Sequence, residues 1–240
     1  MKVCWFAFVH CAEGDRDADR DRLVAGLGPV LSALSGLAKA VIHCCTVADD
    51  PFLRDGDPPN MVLQCYFDSD VALAEALGPG SPLLDLQDPE RFPMLAHASI
   101  THQAMEVRRF ETSSARQTPD SHATYLVGYE GPAEDDELWL DHYLATHALH
   151  MTQLPRVREV EVYTPCECPS AFSWPQSRFM QRNKVVFDSP MALTGALHSP
   201  VRARMREDFL RFPPYRGRVT HHPLMSDVVY TTPPAQPAPV

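Results

Sequence analysis

The chain has 240 residues, 45% of them hydrophobic and 22% charged, enough apolar material for one large domain or two small ones. Its 31 acidic residues against 21 basic ones give a formal net charge of −10, which argues against a nucleic-acid or anionic-membrane partner, because both need clustered Lys and Arg. No apolar run approaches the roughly 18 residues that a membrane-spanning helix needs.

Read from its start, MKVCWFAFVHCAEGD has one lysine and an apolar run that stops at the polar stretch from Glu13. The run reads as a strand over Val3–His10 rather than as a signal peptide, and a cytoplasmic location is expected. Acidic residues at 15–21 suit a helix N-terminus, where negative charge meets the helix dipole. That helix carries Leu23, Leu27, Val30, Leu31 and Leu34 on one stripe and is closed by Gly36. A second strand is expected over 38–46, then a long loop, a strand over Met61–Phe67 and a short helix from about Asp70. A helical or irregular stretch leads to Arg91-Phe92-Pro93 and to a last strand over 99–107. The polar segment 111–121, ETSSARQTPDS, has the composition of an exposed linker.

Beyond the linker the chain repeats itself at an offset of 120. Phe67-Asp68-Ser69 recurs as Phe187-Asp188-Ser189, and Arg91-Phe92-Pro93 as Arg211-Phe212-Pro213. Leu34 matches Leu154 and Phe52 matches Phe172, while a one-residue slip aligns Thr101-His102 with Thr220-His221. The second copy accordingly predicts a strand over 123–129, an acidic helix start at 134–141 and a helix to Leu154 closed by Pro155. Strands over 159–164 and 183–187, a helix from Pro190 and a strand over 218–230 complete it. The expected units are a first repeat (1–110), the linker (111–121), a second repeat (122–230) and a Pro-rich tail (231–240) too poor in apolar residues to pack. Each repeat has the order β-α-β-β-α-β, the ferredoxin-like split βαβ, so the fold class is α+β. Helices cover only one face of such a sheet, and two copies in one chain can bury the other faces against each other.

The stretch YLVGYEGPAEDDELWLDHYLATHALHMTQLPRVREVEVYTP resembles the EthD family of the dimeric α+β barrel superfamily. The features that match are the opening strand, the helix Trp139-x-x-His142-Tyr143-x-x-x-His147, Leu154-Pro155 and the strand to Tyr163, with Val185-Val186-Phe187-Asp188 and Thr220-His221 further on. The resemblance covers most of 122–230. It implies that the two ferredoxin-like repeats form an intramolecular dimeric α+β barrel that acts on small, often aromatic or polyketide-like molecules. Relatives span decarboxylases, dehydratases, lactone isomerases, cofactor-free monooxygenases and haem enzymes, so the resemblance speaks to fold more than to reaction.

At about 100° per residue, Trp139, Tyr143, His147, His150 and Leu154 share one helix arc, with Asp141, Ala145 and Ala148 opposite and His142 to the side. Two imidazoles on a buried stripe need partners, which are either a satisfied core network or a polar cavity. The first copy serves as an internal control: Leu27 stands for His147, Val30 for His150, Leu23 for Tyr143 and Asp19 for Trp139. Polar groups in only one copy are not required by the fold. His147, His150 and Tyr143 are therefore the expected catalytic residues, in a cavity to which Trp139, His222, Trp174 and Lys184 are expected to add substrate contacts. His222 is preferred to His221, which matches His102 of the other copy and reads as structural. Arg182 and Lys184 read either as exposed edge charges or as anchors for a substrate carboxylate. The seven cysteines read as reduced thiols, and Cys166-x-Cys168 lacks the second pair that a zinc site needs. No metal and no cofactor are expected. The expected function is a cofactor-independent lyase or isomerase working on a small aromatic or enolisable compound by histidine proton transfer. A cofactor-free monooxygenase and a non-catalytic binding protein are the alternatives. The expected partner is the small-molecule substrate, with self-association into a homodimer left open.

Overall fold

The structure, a computed structural model, describes residues 2–11, 16–52, 58–113 and 117–232, with backbone alone at 16–19. Asp15, the side chain of Asp19 and the tail from 233 onward lie outside these residues. The first half consists of β1 (Val3–His10), α1 (Arg16–Ser32), β2 (Leu37–Cys45), β3 (Met61–Phe67), α2 (Asp70–Leu77), a 3-10 turn (Pro82–Gln87), α3 (Pro93–Ala96) and β4 (Ser99–Phe110). The second half repeats the order with β5 (Ser121–Tyr129), α4 (Asp136–His142), a π-helical turn (Tyr143–His147), α5 (Ala148–Met151), β6 (Glu159–Pro165), β7 (Gln181–Phe187), α6 (Pro190–Leu197), α7 (Pro200–Phe209) and β8 (Val219–Thr231). No helix is long and apolar enough to cross a membrane among the described residues.

All eight strands close into one antiparallel barrel in the order β1-β3-β2-β8-β5-β7-β6-β4. Each half contributes a four-stranded sheet in ferredoxin-like order, β4-β1-β3-β2 and β8-β5-β7-β6. The two sheets meet at their edges as well as face to face: β2 pairs with β8, and β4 with β6. This explains why β4 outruns its expected end. Arg108 to Phe110 have no strand partner in their own half and pair with Val160–Val162 of β6. Closure removes the exposed edges that would otherwise leave backbone groups unpaired.

Covering both faces also explains the unbroken apolar run of β1. Val3, Trp5, Ala7 and Val9 face the helices, where they pack with Leu23, Leu27, Val30 and Leu31 of α1. Cys4, Phe6 and Phe8 face the barrel interior, with Tyr66, Leu126, Tyr163 and Leu224. Polar side chains share that interior. Lys184 Nζ lies 3.0 Å from Glu161 and donates to Tyr66 Oη at 2.6 Å. Tyr66 and Tyr163 donate to the same carboxylate, Arg109 reaches its other oxygen at 2.7 Å, and Gln64 links Tyr163 to His43.

The two-fold relation reaches single residues. Ser69 and Ser189 each cap the following helix by accepting from the backbone N–H of Ala72 and Ala192. Gly36 has φ of +67°, and Arg156 makes the same left-handed turn at +63° in the second half. The long loops cross over: Phe172 of the second half stacks on Trp5 of the first, while Phe52 of the first lies against Arg202 of the second.

Candidate active site

The crevice between helices and sheet differs in the two halves. In the first it is full. Leu23, Leu27 and Val30 are buried there with Trp5, whose indole Nε1 donates to His102 Nδ1 at 3.0 Å, and Phe172 closes over both rings. The equivalent pair in the second half is Tyr125 and His221, with ring centroids 5.9 Å apart. Here a cavity of about 30 Å³ remains, lined by Tyr125, Tyr129, His147, Asn183, Arg202 and His221 among apolar side chains that include Met151 and Leu193. A larger groove of about 640 Å³ lies elsewhere, between His102–Ala104 and the segment 165–180. It is an open inter-half groove and not the first half's helix–sheet crevice, which stays packed.

His147 is the centre of the cavity wall. Its Nδ1 lies 2.9 Å from Asp208 Oδ2 on α7, with both side chains buried. A carboxylate there holds the proton on Nδ1 and leaves the Nε2 lone pair for a ligand. Burial pushes the imidazole below its ordinary 6.5, while the hydrogen bond and charge of Asp208 pull it back. Tyr143 lies one turn earlier, its ring 5.0 Å from that of His147, and its hydroxyl donates to Asn183 Oδ1 at 2.7 Å. Burial pushes the Tyr143 phenol well up, so it is a neutral donor at any ordinary pH. Arg202 adds a buried cation.

The π-helical turn decides which residues meet. The Ala148 N–H reaches back to the Tyr143 carbonyl, five residues away, and Thr146 Oγ1 donates to the His142 carbonyl at 2.8 Å. Spacing by five puts His142 and His147 on one face. His142 Nε2 thus lies 3.2 Å from Asp208 Oδ1, and both imidazoles share one carboxylate. The regular helical wheel placed His142 to the side and His150 on the stripe. The extra residue in the turn reverses this: His150 is only half-buried, is not part of the cavity wall and has an Nδ1 without a hydrogen-bond partner. The same rotation buries Ala148, which the wheel placed outside.

The expected substrate contacts fare differently. Trp139 is buried, but it stacks on Tyr143 at 5.2 Å within a cluster with Tyr129, Phe212 and Tyr215, behind the cavity. His222 pairs with Leu126, which faces the barrel interior, and it is His221, opposite Val127, that reaches the cavity. Strand alternation admits only one of the two, and the match with His102 marks the equivalent place in the other half's crevice. Trp174 stacks on Phe172 and covers the first half. Lys184 is neither an edge charge nor a cavity anchor, since it is buried in the barrel against Glu161. Arg182 is buried as well, clamped between the Phe8 and Phe179 rings at 4.1 and 3.8 Å.

Asp208, Arg202, Asn183 and Asp50 escaped the sequence reading. Asp88 stands at the position equivalent to Asp208, so comparing the copies could not single it out. Arg202 faces Pro82 in the same comparison, a signal that was there to be read. None of the seven cysteines forms a disulfide, and the described residues contain no cluster of three or more side chains suited to a metal ion.

Fold and crevice together define a dimeric α+β barrel closed within one chain, with a histidine–carboxylate pair in its second half. Solved structures share this architecture. An anthrone oxidase-like protein superposes with a TM-score of 0.63 at 12% identity, over 98% of this chain and 96% of that one. A protein of Lactobacillus acidophilus NCFM named a monooxygenase gives 0.56 at 13% identity over 94% of both chains. One from Fusobacterium nucleatum, named likewise, gives 0.58 at 10% identity over 95% and 92%. At such identities the likeness is one of fold. No family model and no curated protein matches the chain.

Proposed function

We propose that the protein is an enzyme whose reaction begins when His147 Nε2 takes a proton from a small aromatic or enolisable organic compound, as the narrower EthD resemblance of its helix also suggests. The observation that carries this reading is the buried pair of His147 and Asp208 beside a cavity lined by the Asn183 amide and the Arg202 cation, with the Tyr143 phenol behind Asn183 rather than in the lining. The substrate C–H or O–H bond breaks, the proton moves to Nε2 and the electron pair remains as an enolate or phenolate. The Asn183 amide, oriented by the Tyr143 hydroxyl behind it, and Arg202 supply a donor and positive charge for the developing oxyanion. Return of the proton to another carbon makes the enzyme an isomerase, and expulsion of a leaving group makes it a lyase. A second reading follows the names of the solved relatives: dioxygen adds to the carbanion as a peroxide, which loses the second C–H proton and breaks its O–O bond to leave a ketone and water, and the enzyme is a monooxygenase.

Deuterium exchange separates these. With anthrone and phenylpyruvate in D₂O under argon, the wild type should catalyse exchange at the acidic C–H, and His147→Ala should slow it by about 10² to 10⁴, the range of a lost general base. Oxygen uptake on admitting air selects the monooxygenase; its absence, with product formed, selects the lyase or isomerase. Binding without exchange of any acidic C–H in the panel refutes the enzyme reading and leaves a binding protein.

A further inference from the structure

The loop that follows β2 carries a carboxylate from the first half into the second half's site. Asp50 Oδ2 accepts from Tyr125 Oη at 2.8 Å and from Arg202 Nη2 at 2.9 Å, and both donors belong to residues that line the His147 cavity. The arrangement is held from both sides. Asp49 lies 2.8 Å from His198 Nε2 and its N–H reaches Thr194 Oγ1 at 3.3 Å, while Phe52 lies against the Arg202 guanidinium at 5.5 Å. The equivalent loop of the first half's crevice delivers an aromatic plug, Phe172 on Trp5. One crevice is sealed by a ring and the other by a charge.

That seal satisfies its cation incompletely. Asp50 engages Nη2 of Arg202 alone, and the buried Nε has no hydrogen-bond partner. A buried donor left bare is costly, and a guanidinium is best met by a planar carboxylate that takes two of its N–H groups together. The cavity behind it, at about 30 Å³, holds no more than one water-sized guest, far below the size of an aromatic substrate. Something must leave before a substrate enters, and the segment with the ligand-like group is the one in place.

We propose that the site takes small organic carboxylates, and that the substrate carboxylate replaces Asp50 on Arg202 and Tyr125 as the segment 49–52 moves out. Asp50 is then an internal competitor that keeps the cation paired while the site is empty. The inference rests on the reading of this cavity as the active site and gives it a substrate class.

Benzoate, which has no exchangeable acidic C–H, and its neutral analogue benzamide test it by calorimetry on the full chain. Asp50→Ala should bind benzoate at least tenfold more tightly than wild type, with benzamide unchanged. Arg202→Met should lose benzoate binding by a similar factor. Asp50→Asn, which keeps an acceptor and so protects the fold, should fall between wild type and Asp50→Ala. Thermal melting should show Asp50→Ala lowered in Tm and rescued by millimolar benzoate more than by benzamide. Unchanged or weaker benzoate binding in both Asp50 variants, or an equal gain for benzamide, overturns the proposal. The exchange assay fails or succeeds independently: exchange without benzoate selectivity sinks only the substrate class, and benzoate selectivity without exchange sinks only the enzyme.

Discussion

A buried histidine becomes a directed base when one nitrogen is fixed, and Asp208 does this for His147. Comparison of the two copies could find the imidazole because the first half has leucine there, but it could not find the carboxylate, which both copies carry. His142, which the wheel set aside as a bystander, takes the other oxygen of Asp208. Removing it should therefore have a modest effect on exchange, through the orientation of Asp208, and not the near-zero effect that its wheel position suggests. Two pH outcomes follow from the cavity. Because burial lowers the His147 pKa below 6.5 and Asp208 opposes this, the exchange rate should fall on the acid side with a midpoint below 6.5. Asp208→Asn removes the opposing charge, so the midpoint should move lower still, and the plateau rate should drop by about 10² or more as the tautomer is lost. A pH profile identical to wild type would remove Asp208 from the mechanism.

At the scale of elements, the strands were legible as short apolar runs bounded by turn residues, and the first-copy helix was legible from its leucine stripe. The second-copy helix was not, because no residue in DHYLATHALH announces a π turn. One extra residue rotates everything before it relative to everything after it, so a regular wheel cannot place both ends. This gives a direct test. Ala145 is exposed inside the turn, and deleting it should convert the segment to regular α-helix. Trp139 and Tyr143 then turn by about 100° relative to His147, and the bonds to Asn183 and Asp208 cannot both survive. Exchange should fall towards the level of His147→Ala, and Tm should fall with it because the buried Trp139 and Tyr143 lose their packing. Full activity in the deletion would mean that the π turn is incidental.

Across the molecule, the repeat period and the alternating faces foretold two ferredoxin-like halves and a shared interior, but not that this interior is charged. Glu161 and Lys184 face each other across β6 and β7, a register that no offset between copies can reveal. The buried network makes an acid-sensitive barrel, and the signs can be worked out. Burial pushes His43 well below 6.5, and the Lys184 charge pushes it further. Burial alone would raise Glu161, but Lys184, Arg109 and the two tyrosine hydroxyls together hold it well below its ordinary 4.5. The unfolded chain takes up both protons more readily than the folded one, so stability must fall as pH falls. The histidine contribution is intact above 6.5 and is lost below it; that of Glu161 is intact above 4.5 and is lost as the pH drops through its depressed value. Tm should therefore decline in two stages between pH 7 and pH 3. His43→Gln, which can still hydrogen-bond to Ser226 and Gln64 but cannot titrate, should shrink the first stage, to which the depressed His147 also contributes, and leave the second. If the mutant and wild-type curves stay parallel from pH 7 to pH 5, His43 does not refuse its proton, and the barrel interior is wetter than its packing implies.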